Sequence, residues 1–435
     1  AKARATGTAR VEAAAQERKY REDRAEMDAE YRRNQARLAQ SRAEDAKMLV
    51  AGKASMANAE KMRRREEKEK LESDPPEEWN IERLKDFLRE KGDRSMAGAD
   101  KLGYPLCEDQ NDPQGWGAGP QPMNKIGRLR ISSAGAYLAP IRLRPNLNIH
   151  SESTVTRLLF EKKKCIGAEV ITNTGETKRY EAQTTVLCAG AIMSPAIMLR
   201  SGIGPKEELE ALGITTVVDV PGVGKNLCDH PALAVVARVK AGVQINRDDP
   251  IIQTILRYTA EGSDKRNDLQ IEQISFAGTE KSPPAFSIAA VLEYQYGRGE
   301  LTLQSADPKV QPNIHNRFCE DERDCSRLVQ CMKDTLRFTE SGAIADMIES
   351  VVFPDPARGA DDETLATLCK RFSGSGYHPC STLKMGPNTD PFSVVDQHGC
   401  CHSIDQLVVA DASIMPYVPS ANTNLSCIMI GEMIG

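Results

Sequence analysis

The sequence predicts a mixed α/β (α+β) body behind a long charged helix, and three observations carry that expectation. Residues 1–74 are rich in Ala, Arg and Glu and free of Pro, a composition with high helix propensity. From about residue 79 the texture changes, first to a short amphipathic helix and then, from Leu147, to apolar runs separated by turn residues, the mark of strands and hairpins. Two apolar runs, "TTVLCAG" and "QLVVADAS", end in small residues and lead into helical sequence. Strands and helices interleaved in this way indicate an enzyme-like body.

Taken in order, the first segment shows charges of both signs at i, i+3 and i+4, which supports a solvated helix. A heptad register places Ala13, Tyr20, Met27, Asn34, Ser41 and Met48 at d, but Glu17, Arg24, Tyr31, Leu38 and Asp45 at a. A single exposed helix or a weak coiled coil is therefore expected. "SDPPEE" at 73–78 breaks it. "NIERLKDFLREKG" reads as a short amphipathic helix ending at Gly92. The stretch from Leu147 to Ala191 reads as strands joined by turns, with "NTGE" as a hairpin turn. "KEELEALGI" is a helix closing at Gly213, followed by a strand in "TTVVDVP". "GELTLQSADPKVQPNIH" reads as a strand and turns, and Leu328, Met332, Leu336 and Phe338 have the spacing of one helix face. A loop around His378, the strand "QLVVADAS" and a last helix from Leu425 complete the chain.

Composition narrows the function classes. The net charge of −5 over 435 residues gives no global attraction to nucleic acid, and the Glu residues in "KMRRREEKEK" cancel its local field. No apolar run is long enough for a transmembrane helix, and no secretory signal opens the chain. The chain begins at Ala1 and stops within "IMIGEMIG", so both ends read as cut. The 12 Cys include no CxxC, and Cys319, Cys325 and Cys331 are spaced by six, off any one helix face; no metal site is expected. Cysteines inside apolar runs ("TTVLCAG", "LSCIMI") read as buried thiols of a cytoplasmic protein. No G-x-S-x-G elbow occurs, which removes one hydrolytic reading.

Several residues could carry chemistry. His378 lies in "GYHPCSTLKMG", where no periodicity places it on a buried face. Asp411 follows an apolar strand, where small residues let a ligand approach; an ordinary strand-end turn is the alternative. Asn422 and Asn424 stand at the start of a helix, where N-capping is the plain expectation. Gly190 sits at a strand–glycine–helix turn of cofactor-binding type.

Taken together, these stretches resemble the glucose-methanol-choline (GMC) family of FAD-dependent oxidoreductases. "GAIMSPAIMLRSGIGP" is similar to a family signature, and "VPGVGKNLCDHP", "GRLRISSAGAYLAPIRLRPNLNIHSESTVTRLLFE" and "GRGELTLQSADPKVQPNIHNRF" resemble its other segments, from Leu102 to Gly435. The resemblance implies a Rossmann-like FAD-binding domain, incomplete at its N-terminus, with an antiparallel-sheet substrate domain. The expected divisions are 1–74, 75–235 (partial FAD-binding), 236–370 (substrate-binding) and 371–435 (FAD-binding, with the catalytic residues). It implies a small-molecule alcohol as substrate and hydride transfer to flavin N5, with His378 accepting the hydroxyl proton. Counting ten residues back from Glu432 gives Asn422 as its partner. Cofactor contacts carried over are Val155, Gly190, Asp411, Ala412, Asn424 and Leu425; His230, in "CDHP", is expected to be structural. Neither the alcohol nor the electron acceptor is assigned, and a homo-oligomer is compatible with the sequence.

The departure from the family is at the front. The expected strand–G-x-G-x-x-G–helix turn is missing, and "GWGAGP" (Gly115 to Pro120) has neither a strand before it nor a helix after it. The alternative is therefore an inactive, truncated or fused homologue with an interaction role.

Overall fold

Residues 99–435, apart from 101, 127–128, 244, 246–249 and 280–281, are described in a computed structural model. The charged helix expected over 1–74 and the helix ending at Gly92 lie outside them.

Alternation of apolar and polar residues builds a seven-stranded antiparallel sheet. Its strands are β1 (Gly117–Pro120), then β6 (Pro231–Val239), β7 (Ile252–Tyr258), β8 (Leu269–Ala277), β9 (Ala285–Leu292), β10 (Ile348–Phe353) and β11 (Gly374–Ser375). The strand order is β1-β7-β8-β9-β6-β10, with β11 also on β6. Register puts Leu256, Ile271, Ala290 and Leu233 in one rung across four strands. That face packs on the helix Glu322–Thr339, through Leu328, Met332 and Phe338. Asp321 caps this helix by accepting from the Arg323 N–H, and Arg337 lies in its last turn, both in the sense the helix dipole favours. Period two sends Arg257, Gln270 and Glu272 to the opposite face.

A second core lies around a smaller parallel pair. The hairpin strands β2 (Ser153–Glu161), β3 (Lys164–Thr172) and β4 (Thr177–Glu181) form one sheet, with "NTGE" at the β3–β4 turn as expected. β5 (Thr185–Leu187) pairs in parallel with β12 (Leu407–Val409). β5 leads into α1 (Gly190–Arg200); α2 (Lys206–Ala211), α3 (Glu322–Thr339) and α4 (Asp362–Phe372) follow, and the last helix, α5, covers Thr423–Ile434, two residues earlier than expected. The strand expected in "TTVVDVP" shortens to Val218–Asp219, paired only with Ile203–Gly204. Among the described residues no helix is long and apolar enough to cross a membrane.

Two expectations need correction. "TTVLCAG" is not a fully buried strand: Val186 is 51% exposed and Cys188 is exposed, because the β5–β12 pair is covered on one side only. Cys427 is likewise only half-buried. The first turn and outer face of α5 carry exposed Leu425, Met429 and Met433 at i, i+4 and i+8.

The loop that bears His378 is tied to α1 through a proline. Pro195 has no N–H to give to the Ala191 carbonyl four residues back, and that carbonyl accepts instead from the Thr382 hydroxyl at 2.6 Å. Beyond it, the Ser381, Leu383 and Met385 N–H groups donate to the carbonyls of Ala412, Ser413 and Ile414. The loop is thus stitched to both halves of the second core.

The glycines of "GWGAGP" have another use. β1 runs against residues 105–107: Cys107 N–H donates to the Ala118 carbonyl at 2.8 Å, and Ala118 N–H to that of Pro105 at 2.9 Å. A side chain on Gly119 would run into the Cys107 carbonyl, so glycine here is demanded by the crossing segment. Gly119→Ala should lower the stability read from a urea midpoint by about 1–3 kcal/mol, the usual cost of overpacking. Gly374→Ala, where an added methyl group meets nothing, should change it by less than about 0.5 kcal/mol.

Candidate active site

Four segments distant in sequence bring their side chains to one place. His378 comes from the loop after β11, Asn422 from the N-cap position of α5, and His230 from the residue before β6. Gln121 follows β1, and its N–H donates to the Gln253 carbonyl at the start of β7. Asn422 makes no capping hydrogen bond. Its amide nitrogen instead reaches Nε2 of His378 at 3.1 Å, so the plain N-cap expectation describes its position but not its side chain. The Asn422 oxygen accepts from Nε2 of Gln121 at 3.1 Å, and Oε1 of Gln121 is buried without a partner.

Behind His378 the chain of contacts continues inward. Nδ1 of His378 lies 3.0 Å from Nδ1 of His230, and Nε2 of His230 lies 2.9 Å from the Pro419 carbonyl. Glu293 Oε2 is 3.5 Å from the same Nε2. Asp229 holds both backbones, since its Oδ1 accepts from the His230 N–H at 2.7 Å and the His378 N–H at 3.0 Å. Its other oxygen accepts from the Ser375 hydroxyl. Two residues before His230 and two after His378, Cys228 and Cys380 exchange backbone hydrogen bonds of 3.1 and 2.9 Å with their side chains in the core. Tyr377 (φ +64°) and Ser381 (φ +74°) flank this turn in left-handed backbone, a conformation uncommon for residues with a Cβ.

A second cluster joins Asp411, Gly190 and Ala412. Asp411 Oδ2 accepts from the Gly190 N–H at 2.9 Å and from the Ser194 hydroxyl; Oδ1 accepts from the Ser413 N–H at 2.8 Å and from its hydroxyl. The carboxylate therefore locks the end of β12 to the start of α1, and Ala412 is buried beside it. Val155 stands apart on β2, half-buried against the second core. Asn424 and Leu425 lie exposed on the first turn of α5. The structure brings the sequence candidates His378 and Asn422 together, and adds beside them Gln121, Asp229 and Glu293, which the sequence did not single out, and His230, which it expected to be structural. The "CDHP" run was a usable signal for Asp229 and His230; nothing in the sequence around Gln121 was.

Two family models, each described as GMC oxidoreductase, match residues 81–232 and 295–431. Mouse mitochondrial choline dehydrogenase is 30% identical over 364 residues, covering 78% of this chain and 61% of that protein. The 5-(hydroxymethyl)furfural oxidase of Methylovorus sp. (strain MP688) is 33% identical over 350 residues, covering 76% and 65%. Among solved structures, pyridoxine 4-oxidase from Mesorbium loti superposes with a TM-score of 0.72 at 25% identity, over 79% of this chain and 68% of that one. The chain thus spans 61–65% of the length of these curated relatives.

Burial sets the charges at the site. Desolvation holds His378 down to about 4, and holds His230, with His378 beside it, down to about 3. Burial, with Glu272 nearby, pushes the Glu293 carboxyl well above its ordinary range, and burial also raises Asp229. Both imidazoles are therefore neutral at pH 7. Because the folded values lie below the ordinary 6.5, the unfolded chain binds more protons in acid. The stability this neutrality contributes is complete above pH 6.5 and declines as pH falls towards 4. In that window unfolding free energy should drop by about 1.4 kcal/mol per histidine per pH unit. Urea titrations of His378→Gln should show a shallower slope than those of the parent; equal slopes would mean that His378 is charged or exposed in the folded state.

Proposed function

We propose that this chain, which belongs to the GMC oxidoreductase family, carries the catalytic end of an FAD-dependent oxidation of a small alcohol at its CH–OH group. The observation that carries the reading is the 3.1 Å approach of the Asn422 amide to Nε2 of His378, made by a residue at a helix N-cap whose side chain forgoes capping. A neutral imidazole nitrogen and an amide N–H side by side suit a hydroxyl group. The hydroxyl gives its proton to Nε2 and accepts from the amide, which fixes the oxygen while the carbon is oxidised.

The residues present suit the reactive end of a flavin. α5 opens without a side-chain cap, Gln121 offers a buried acceptor with no partner, and Leu425 presents an apolar surface on the first turn. Asn424, Leu425, Ala412, Asp411, Gly190 and Val155 are the residues we assign to holding it. A bound flavin supplies the two-electron acceptor for the hydride; the protein positions the alcohol, takes its proton and excludes water. The reading of a non-catalytic homologue has one observation in its favour, the open face of the β5–β12 pair beside Val186. Parallel strands are ordinarily covered on both faces.

Adding FAD to the purified chain and removing the excess tests the two readings against each other. Retained yellow colour that an alcohol bleaches under anaerobic conditions supports oxidation; a colourless chain supports the second reading. In the first case His378→Ala should slow bleaching by about 10²–10⁴-fold, and Asn422→Ala by about 10²-fold, with the flavin still bound. A His378→Ala chain that bleaches at the parent rate would remove this histidine from the reaction.

A further inference from the structure

We propose that His230 is a positioning residue that keeps the proton of His378 on Nδ1, so that Nε2 is bare where the alcohol binds. The inference rests on the function proposed above and assigns the atom that takes the proton.

The argument starts at the inner end. A backbone carbonyl can only accept a hydrogen bond, and that of Pro419 lies 2.9 Å from Nε2 of His230. Nε2 of His230 therefore carries a hydrogen. Glu293 Oε2, on the same side at 3.5 Å, gives that hydrogen a second oxygen to face. The His230 ring is fully buried, and a neutral imidazole has one N–H and one lone pair. Its Nδ1 is then the lone pair, pointed at Nδ1 of His378 across 3.0 Å. Two lone pairs at that distance repel, so Nδ1 of His378 must be the donor. What remains on His378 is a bare Nε2.

The outer end gives the same answer independently. The Gln121 amide N–H group donates to the Asn422 oxygen, which turns the Asn422 N–H toward Nε2 of His378 at 3.1 Å. A donor there calls for a lone pair on Nε2. The hydrogen bonds then run in one direction, from Gln121 through Asn422, His378 and His230 to the Pro419 carbonyl. Asp229 keeps the two rings in register by gripping both backbone N–H groups. Without His230, an imidazole is free to hold its proton on either nitrogen, and the form protonated at Nε2 cannot accept from an alcohol.

The test is the imidazole nitrogen–proton correlation spectrum of the ¹⁵N-labelled full chain at neutral pH. The chain has six histidines, so His378→Gln and His230→Leu assign the two rings by loss of their signals. We expect a protonated Nδ1 and bare Nε2 on His378, and the reverse on His230. In His230→Leu the Nδ1-protonated form of His378 should fall to about half or less, while in His230→Asn, whose Oδ1 stands near the place of Nδ1, it should persist. Circular dichroism checks that each variant is folded. An Nε2-protonated His378 in the parent chain overturns the proposal, and this outcome needs no folded variant. An unchanged tautomer in folded His230→Leu, or its loss in folded His230→Asn, overturns it too. The readout requires neither flavin nor turnover. A chain that refuses FAD would therefore sink the proposed function and leave this tautomer standing, whereas an active chain with Nε2 protonated would do the reverse.

Discussion

The carbonyl of Pro419 is the fixed point of the site. It can only accept, and every hydrogen bond from Gln121 inward runs towards it. The participants are held by both cores. Gln121 is pinned to the edge of the large sheet, His230 starts a central strand of it, and Asn422 opens the helix that ends the chain. An ordered line of donors across such separations needs each segment placed to within a few tenths of an ångström. The surrounding stitches do this: the Ala191 carbonyl left over by Pro195, the four donors on Asp411, and the paired backbones of Cys228 and Cys380.

Burial turns that geometry into chemistry. Water would let either imidazole charge near neutrality; removed from water, both stay neutral well below pH 7. The same burial favours a partner for each nitrogen and carboxyl, and two of the ten buried side-chain atoms without one among the described residues, Gln121 Oε1 and Glu293 Oε2, border the site. Strain gathers there as well. Left-handed Tyr377 and Ser381 cost backbone energy that the stitched loop withstands.

How much of this the sequence revealed depends on whether the cause is local. The "NTGE" hairpin, the helix at 322–339 and the strand-to-Gly190 turn follow from turn chemistry and periodicity, and they appear where expected. His378 and Asn422 were legible through motif spacing, and they do meet. Gln121 was not, because its part depends on a sheet edge 301 residues away in sequence from Asn422. Val186 was misjudged for a related reason. An apolar run tells that a strand can be buried, while the neighbours available to cover it decide whether it is. "GWGAGP" shows the converse, since glycines spaced like a nucleotide loop serve a crossing of two backbones instead.

The inner end of the hydrogen-bond line also limits where a proton can travel. Relays that carry protons to bulk water end on a group able to give one up as well as take one, such as a carboxylic acid, a hydroxyl or a water molecule. An amide carbonyl has no proton to release and is far too weak a base to hold one. Under the proposed function, a proton gained by His378 finds no acceptor in the Pro419 carbonyl, and the other oxygen beside Nε2 of His230 is Oε2 of Glu293, 3.5 Å away and buried. In that reading, the proton either returns on the side where the alcohol binds or passes inward to that buried carboxyl.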